Sequence, residues 1–178
     1  MEVVNNEYLL RVFNEIWTSV WNEKGFELEF SHESDKFLFK NRHHEYAGTI
    51  EFKQLVASET WHIPVIRDHP FIEANIQDVV EIDKVAIKAG SRRKDKIIEQ
   101  ILTQIVNYSL SHDVKGIVAL LEPKFYLALR MVYKVPITKI GNKFEYKGDL
   151  VVPALLDCLS AKDSLETFSW YTPENVTI

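Results

Sequence analysis

A strand, a basic turn, a long helix and a second buried strand follow one another between residues 79 and 121. Val79–Ile87 is rich in β-branched residues, the apolar residues of 97–110 recur at three- and four-residue spacing, and Val114–Leu121 is almost wholly apolar. Two strands that are joined through a helix in this way are expected to be parallel, and to lie next to or close to each other in one sheet. The centre of the chain therefore predicts a crossover unit inside a mixed sheet.

The flanking segments predict further elements on both sides of this unit. A helix with an apolar stripe starts after Asn5 or Asn6 and ends at Gly25, and a proline opens another helix at Pro123. The remaining predictions are strands at Phe26–Phe30, Phe37–Lys40, Tyr46–Leu55, Ile137–Ile140, Lys143–Tyr146 and Leu150–Val152, a turn at Asn41–Glu45, a long irregular loop at Val56–Asn75, and a short helix at Ala154–Leu159 that Pro153 opens. We expect one α/β (α+β) domain over residues 1–178, with a mixed, mostly antiparallel central sheet and helices on both faces.

Composition and charge exclude several classes of protein. The chain has 178 residues, a formal net charge of −5, 46% hydrophobic residues and one cysteine, Cys158. An acidic chain lacks the excess of basic residues that binds nucleic acid, and a single cysteine forms no internal disulfide. The sequence begins without a secretory signal and has no apolar run near the roughly 20 residues that span a bilayer. These features predict a cytoplasmic protein without a membrane span.

The turn at Gly90–Lys96 is the first candidate binding site. A glycine and polar residues at a helix N-terminus present unpaired backbone N–H groups, which suit an anion such as a pyrophosphate. Arg92, Arg93, Lys94 and Lys96 lie around Asp95 and add four positive charges in five residues. A solvated basic turn is the alternative, and the glycine-rich motifs of nucleotide-binding folds are absent from the sequence.

Other reactive residue types give weaker signals. The histidines lack the spacing of a zinc site, so we expect no metal, and no nucleophile elbow is present. Cys158 is expected to be an inert core thiol. Glu81 is an acid inside an apolar strand: pointing inward it can act as a base or hold an amine, whereas pointing outward it is a surface residue or a partner of Lys84.

The run from Val79 to the helix at Pro123 resembles the acyl-CoA-binding core of the GCN5-related N-acetyltransferase (GNAT) superfamily. The resemblance implies that the backbone of the first strand, at Val85, Ala86 and Ile87, binds the pantetheine arm of acetyl-CoA or acyl-CoA. It also implies that the turn holds the pyrophosphate, with cofactor-binding positions at Arg92, Arg93, Lys94, Asp95 and Lys96. The superfamily pattern Gln/Arg-x-x-Gly-x-Gly/Ala keeps its leading arginine here and lacks both small residues.

A closer resemblance, over Val79 to about Leu156, is to the acyl-homoserine-lactone synthases. Val80–Ile87 is similar to their Trp-Glu-Leu-Ser-Arg-Phe-Ala-Val stretch, and Tyr133–Lys143 carries the Val-Pro and Ile-Gly pairs of their helix–strand junction. Lys84 and Glu51 stand where that family has arginines. Homoserine-lactone synthesis is therefore not implied, whereas acyl transfer to an amine is.

The resemblance also implies catalytic residues and partners. Glu81 would line the acceptor side, and Tyr133 or Tyr126 would protonate the departing thiolate, with core packing as the alternative for either tyrosine. The expected function is transfer of an acyl group from acyl-CoA, or from an acyl carrier protein, to a small-molecule amine, in a bacterial protein that can form a homodimer. A catalytically inactive ligand-binding or interaction protein with the same fold is the alternative.

Overall fold

Eight strands and six α-helices occupy the part of the chain that the computed structural model describes, residues 1–31, 33–92 and 95–172. The helices are α1 (Glu7–Lys24), α2 (Pro64–Arg67), α3 (Pro70–Ala74), α4 (Ile97–Ser111), α5 (Pro123–Met131) and α6 (Cys158–Lys162). The strands are β1 (Glu2–Val3), β2 (Asp35–Lys40), β3 (Tyr46–Gln54), β4 (Val79–Ile87), β5 (Gly116–Leu121), β6 (Ile137–Lys139), β7 (Phe144–Tyr146) and β8 (Asp149–Asp157).

The strands form a mixed sheet in the order β1-β2-β3-β4-β5-β8-β6, with β7 paired to β8. β4 and β5 are parallel, and their register places Val79, Val80 and Glu81 opposite Gly116, Ile117 and Val118. The pairs β1–β2, β2–β3, β5–β8, β6–β8 and β7–β8 are antiparallel. This confirms the predicted α/β architecture, with the crossover unit that joins the parallel strands β4 and β5.

The chain divides into two compact units, and the boundary falls inside β4. The first unit comprises Met1–Lys53 and Ile82–Leu102, and the second comprises Gln54–Glu81 and the chain from Thr103 onward. The prediction of one domain over residues 1–178 stays a prediction.

The core of the first unit forms around α1. Asn6 caps this helix, its side chain accepting a hydrogen bond from the backbone N–H of Leu9 at 2.9 Å, and Gly25 ends it with a left-handed backbone at φ 77°. The apolar stripe of the helix is buried in a cluster with two strand residues; the members are Leu9, Phe13, Ile16, Trp17, Val20, Leu38 and Ala86. The predicted helix is confirmed, with Asn6 rather than Asn5 as its cap.

The core of the second unit contains residues from the segment that the sequence predicted as an irregular loop. Residues 55–78 form short 3₁₀ turns together with α2 and α3, and Pro64 and Pro70 occupy the first helical positions. The buried cluster comprises Leu55, Ile66, Ile72, Val79, Val118 and Leu155. The loop prediction is wrong. Each helix buries an apolar residue, but each is too short for the sequence to show a helical period of apolar residues.

Two further predictions are wrong. Phe26–Phe30 forms no strand; Phe26 instead packs edge-on to Trp21 at 5.8 Å, and Phe30 packs edge-on to Trp17 at 5.1 Å between ring centroids. Aromatic packing on α1 therefore replaces strand pairing in this segment.

Pro153 does not open a helix at Ala154–Leu159, because β8 continues through it to Asp157. The pairing on one side of β8 changes from β7, opposite Val151, to β6, opposite Ala154. Pro153 lies between these two ladders, where a missing N–H breaks no ladder hydrogen bond. The last helix consequently starts later, at Cys158.

Candidate functional site

Glu81 is a buried residue of β4, at the last position where this strand pairs with β5. It is 5% exposed, and it lies opposite Val118 in the register of the two strands. The hydroxyl of Thr60, itself 2% exposed, donates a hydrogen bond to Glu81 Oε1 at 2.5 Å. The inward alternative of the sequence analysis is therefore the one that the structure shows, and the role of Glu81 as a base stays a prediction.

Thr60 reaches Glu81 from the 3₁₀ turn Glu59–His62. The backbone N–H of Ile63 donates to the carbonyl of Thr60 at 3.1 Å, and Glu59 Oε2 lies 3.1 Å from Lys147 Nζ in an ion pair. Thr60 is a functional candidate that the sequence analysis missed. No motif marks it, because it lies 21 residues before Glu81 in a segment without periodicity.

Lys84 interrupts the regular backbone of β4. Its φ is +49°, which a lysine seldom adopts, and two side chains form hydrogen bonds with its backbone. Asp83 Oδ1 accepts from the Lys84 N–H at 2.8 Å, and Thr49 Oγ1 donates to the Lys84 carbonyl at 2.7 Å. The backbone of β4 is thus irregular at Lys84.

The Lys84 side chain belongs to a buried group of charges in the first unit. Its Nζ pairs with Glu51 Oε2 and donates to Ser31 Oγ at 2.9 Å, and it lies 5.3 Å from the Trp17 ring centroid. Lys36 Nζ is 3.0 Å from Glu51 Oε1. Lys84 therefore takes Glu51 as its ion partner, where the sequence analysis offered Glu81.

Glu51 is the centre of this group. It is 0% exposed, and it also accepts hydrogen bonds from the hydroxyls of Ser31 and Ser34. Burial alone would raise the pKa of the carboxyl, but the charge of Lys84 and the hydrogen bonds from Lys84, Ser31 and Ser34 outweigh it and lower the pKa to about 2. The Glu51 carboxyl is thus ionised at neutral pH.

The segment of β4 after Lys84 holds the predicted pantetheine-binding positions. Ala86 is buried in the α1 cluster, whereas Val85 and Ile87 are half-buried. A Cβ on Gly48 would lie 2.5 Å from Ile97 Cγ2 and 3.5 Å from the Ala86 carbonyl oxygen. Glycine at this position thus lets the first residue of α4 pack directly against the sheet beside Ala86.

In the predicted anion-binding turn, Arg92 and Lys96 make contacts with other residues of the protein. Arg92 Nε donates to the Ile87 carbonyl at 2.8 Å, and its Nη2 lies 3.3 Å from Glu23 Oε2. Lys96 is exposed, with its Nζ 3.5 Å from Glu99 Oε2. The predicted positions Arg93 and Lys94 lie outside the described residues.

A pocket of about 600 Å³ lies beside this turn within the first unit. Six of the residues that line it are Lys88, Gly90, Ser91, Asp95, Arg42 and His43. The Asp95 side chain is 5% exposed, with its Oδ1 3.5 Å from Arg42 Nε. The pocket therefore combines the two cations Arg42 and Lys88 with the buried carboxylate of Asp95 and the exposed carboxylate of Glu45.

The two candidate tyrosines differ in their surroundings. Tyr133 lies just beyond the end of α5 and is half-buried, and its backbone carbonyl accepts from Trp170 Nε1 at 2.7 Å. Tyr126 is buried on α5, and its hydroxyl accepts from Arg130 Nη1 at 3.3 Å. Both tyrosines and Glu81 belong to the second unit, whereas Val85–Ile87 and the turn belong to the first.

Other predicted features have plain structural outcomes. Cys158 is buried, and burial raises the pKa of its thiol to about 12. Within residues 1–31, 33–92 and 95–172, no group of three or more His, Cys, Asp or Glu side chains is placed to hold a metal ion. Across the same residues no helix combines the length and apolar character that crossing a bilayer requires.

Known structures share this arrangement of strands and helices. FeeM, an N-acyl amino acid synthase from uncultured soil microbes, matches with a TM-score of 0.72 at 12% identity, over 91% of this chain and 92% of that chain. The chain has a GNAT-like fold. The homoserine-lactone synthase LasI matches with a TM-score of 0.70 at 12% identity, over 98% of this chain and 96% of that chain.

A third match is MesI, a CoA-dependent acyl-homoserine lactone synthase, with a TM-score of 0.65 at 12% identity over 85% of this chain and 82% of that chain. No family model and no curated protein matches the sequence. The likeness lies in the fold, and it confirms the resemblance that the sequence indicated.

Proposed function

We propose that this chain is an N-acyltransferase that moves an acyl group from an acyl-CoA thioester to the amine of a small molecule. The observation that carries the proposal is a buried carboxylate, Glu81, on β4 of a GNAT-like fold that spans more than nine-tenths of both this chain and FeeM. FeeM is named as an N-acyl amino acid synthase and MesI as a CoA-dependent acyl-homoserine lactone synthase. Both names describe acyl transfer to an amine.

The acceptor reaction requires a base and an acid. Glu81 takes a proton from the acceptor ammonium through one water, and the freed amine attacks the thioester carbonyl carbon. The new C–N bond forms, the C–S bond breaks, and the departing thiolate takes a proton from a tyrosine hydroxyl, which is reprotonated by the proton that the amine nitrogen loses as the amide forms. Tyr133 remains our first choice for this proton donor, because its side chain is half-buried whereas Tyr126 is buried and bonded to Arg130.

The donor would bind to the first unit. The backbone of Val85–Ile87 would pair with the pantetheine arm, and the turn at Arg92–Lys96 would hold the pyrophosphate. The adjoining pocket supports this assignment through Lys88, an exposed cation beside the turn, whereas Arg42 is already paired with Asp95.

A binding protein without catalytic activity is the second candidate. The hydrogen bond from Arg92 to the Ile87 carbonyl and its ion pair with Glu23 favour it, because they engage the arginine that the superfamily pattern assigns to the pyrophosphate. In this case a ligand would bind without turnover.

Calorimetric titration with acetyl-CoA and with a long-chain acyl-CoA tests the donor assignment. We expect binding of at least one of them, and reversal of Arg92 and Arg93 to glutamate should weaken it at least tenfold, about 1.4 kcal/mol. A matched variant with Lys139 and Lys162 reversed carries the same charge change on exposed residues elsewhere and should bind normally. Absence of binding at high concentration contradicts the proposal, and unchanged affinity in a folded Arg92/Arg93 variant removes the turn from the site.

A carrier protein as the acyl donor is the alternative within the same function. The exposed surface of α5 and the residue after it carries Lys124, Arg130, Leu127, Met131 and Val132, so it is both basic and apolar. An acidic carrier protein would complement this surface. Leu127→Asp should then slow transfer from the carrier protein and leave transfer from acyl-CoA unchanged. If the variant transfers from both donors at the wild-type rate, CoA is favoured as the donor.

The setting of the protein belongs to the same proposal. A bacterial cytoplasm suits an acidic chain whose one cysteine is buried with a raised thiol pKa. Sedimentation equilibrium decides between a monomer and the homodimer that the sequence analysis allowed.

A further inference from the structure

We propose that Thr60 is a positioning residue for Glu81, so that the 3₁₀ turn Glu59–His62 is part of the catalytic machinery. This inference rests on the proposed function, because it assigns Thr60 to the proposed base. Its observation is the hydrogen bond from Thr60 Oγ1 to Glu81 Oε1 at 2.5 Å between two buried residues. Neither a sequence motif nor the resemblance assigns any role to Thr60.

The hydroxyl is suited to orienting a carboxylate. A short hydrogen bond to an ionised acceptor is stronger than one between neutral groups, and it fixes the rotation of the carboxylate plane. Threonine is also more restricted than serine at χ1, so its hydroxyl has fewer directions available. With Oε1 held by Thr60, the orientation of Oε2 is set as well.

The turn is itself held by contacts of the residues that precede Thr60. Before it, Leu55 is fully buried in the core of the second unit, and the Ser58 N–H donates to the Leu55 carbonyl at 3.0 Å. Next to it, Glu59 pairs with Lys147, which lies at the turn between β7 and β8. Thr60 therefore has a defined position from which to orient Glu81.

The functional consequence follows from the geometry of proton transfer. A base acts only when its oxygen is within hydrogen-bond reach of the proton or of one bridging water. A displacement of the order of 1 Å can cost roughly 10²-fold in rate. Loss of the Thr60 hydroxyl should therefore lower the rate of the chemical step and leave donor binding unchanged.

Three variants of the full chain test the proposal. Thr60→Val removes the hydroxyl at nearly constant volume, Thr60→Ser keeps it, and Ser58→Ala removes a neighbouring buried hydroxyl that donates to Leu55 rather than to Glu81. We expect Thr60→Val to lower kcat by roughly 10- to 100-fold with the KM for acyl-CoA unchanged. Thr60→Ser should restore most of kcat, and Ser58→Ala should keep the wild-type kcat.

A double-variant cycle separates positioning from a general loss of folding. In the Glu81→Gln background, Thr60→Val should lower kcat no further, because the base is already absent. Equal kcat in wild type and Thr60→Val, or equal loss in Thr60→Ser and Thr60→Val, would overturn the proposal. So would an additive effect with Glu81→Gln.

A measurement that needs no turnover keeps the two proposals apart. The ¹³C resonance of the Glu81 side-chain carboxyl, identified by its loss in Glu81→Gln, should move in Thr60→Val and stay in place in Thr60→Ser. An unmoved resonance in Thr60→Val refutes the positioning role. Absence of transfer in the wild type with a moved resonance refutes the proposed function and confines the contact to structure, which also ends the catalytic assignment of Thr60.

Discussion

Neutralising Glu51 is expected to be among the most destabilising changes of one charge in this protein. Glu51 is 0% exposed, and the side chain of its partner Lys84 is 1% exposed. Glu51→Gln keeps the shape of the side chain and removes the nearer of the two carboxylates that pair with the buried Lys84. The other carboxylate, Asp83, remains with its Oδ2 3.5 Å from Lys84 Nζ. Removing one member of a buried ion pair typically costs about 3–5 kcal/mol.

The pKa of Glu51 gives an independent magnitude. The carboxyl has a pKa of about 2 in the folded chain, against an ordinary value of 4.5 for a glutamate in water. The difference corresponds to about 3 kcal/mol of folding free energy, which agrees with the cost of breaking the pair. Because the folded pKa is the lower one, this stability is fully present above pH 4.5 and is lost as the pH falls towards 2.

Urea unfolding of wild type and Glu51→Gln, followed by circular dichroism, measures the effect. At pH 7 we expect a loss of about 3–5 kcal/mol in the variant. At pH 3 we expect the gap to shrink by about 2 kcal/mol, because the wild type has by then lost much of the contribution of Glu51.

Glu15→Gln is the matched control, because Glu15 is exposed and its pair with Arg11 spans 3.9 Å. This variant should change the unfolding free energy by less than about 1 kcal/mol. A loss below 1 kcal/mol in Glu51→Gln at pH 7, or a gap that stays constant down to pH 3, would refute the reasoning.

Two further predictions concern packing. Gly48→Ala should lower the free energy of unfolding by about 1–3 kcal/mol in urea titrations, since the new methyl would lie 2.5 Å from Ile97 Cγ2. The control Gly90→Ala, whose Cβ would have no neighbour within 4 Å, should change this free energy by less than about 0.5 kcal/mol, and equal effects of the two substitutions would contradict the prediction. The thiol of Cys158, with its pKa raised to about 12 by burial, should react with a disulfide reagent at pH 8 only after unfolding; fast reaction in the native protein would speak against a buried thiol.

The sequence predicted those elements that are long enough for their pattern of apolar residues to be recognised. The bounds of β4 are those predicted, and α1 begins and ends at the expected cap and glycine. The strand predicted at Phe26–Phe30 is wrong because alternation of apolar residues does not show whether a partner strand is available. The helix predicted after Pro153 is wrong because the position of this proline between two ladders depends on the pairing of β8 with β6 and β7.

The candidate site was predictable only in part. Glu81 was visible as an acid in an apolar strand, and its burial confirmed the inward alternative. Thr60 and Glu51 were not, because their contacts with Glu81 and Lys84 join residues 21 and 33 positions apart. Such contacts follow from tertiary packing, which local residue patterns do not encode.

The rate of acyl transfer by Glu81→Gln, measured beside its affinity for acyl-CoA, tests the central proposal most directly. The substitution keeps the size of the side chain and removes the base, whereas the donor would contact the backbone of Val85–Ile87 and the turn. We expect transfer to fall roughly 10²-fold or more, with the Kd for acyl-CoA and the thermal midpoint close to those of the wild type. Transfer at the wild-type rate in this variant would contradict the assignment of Glu81 as the base.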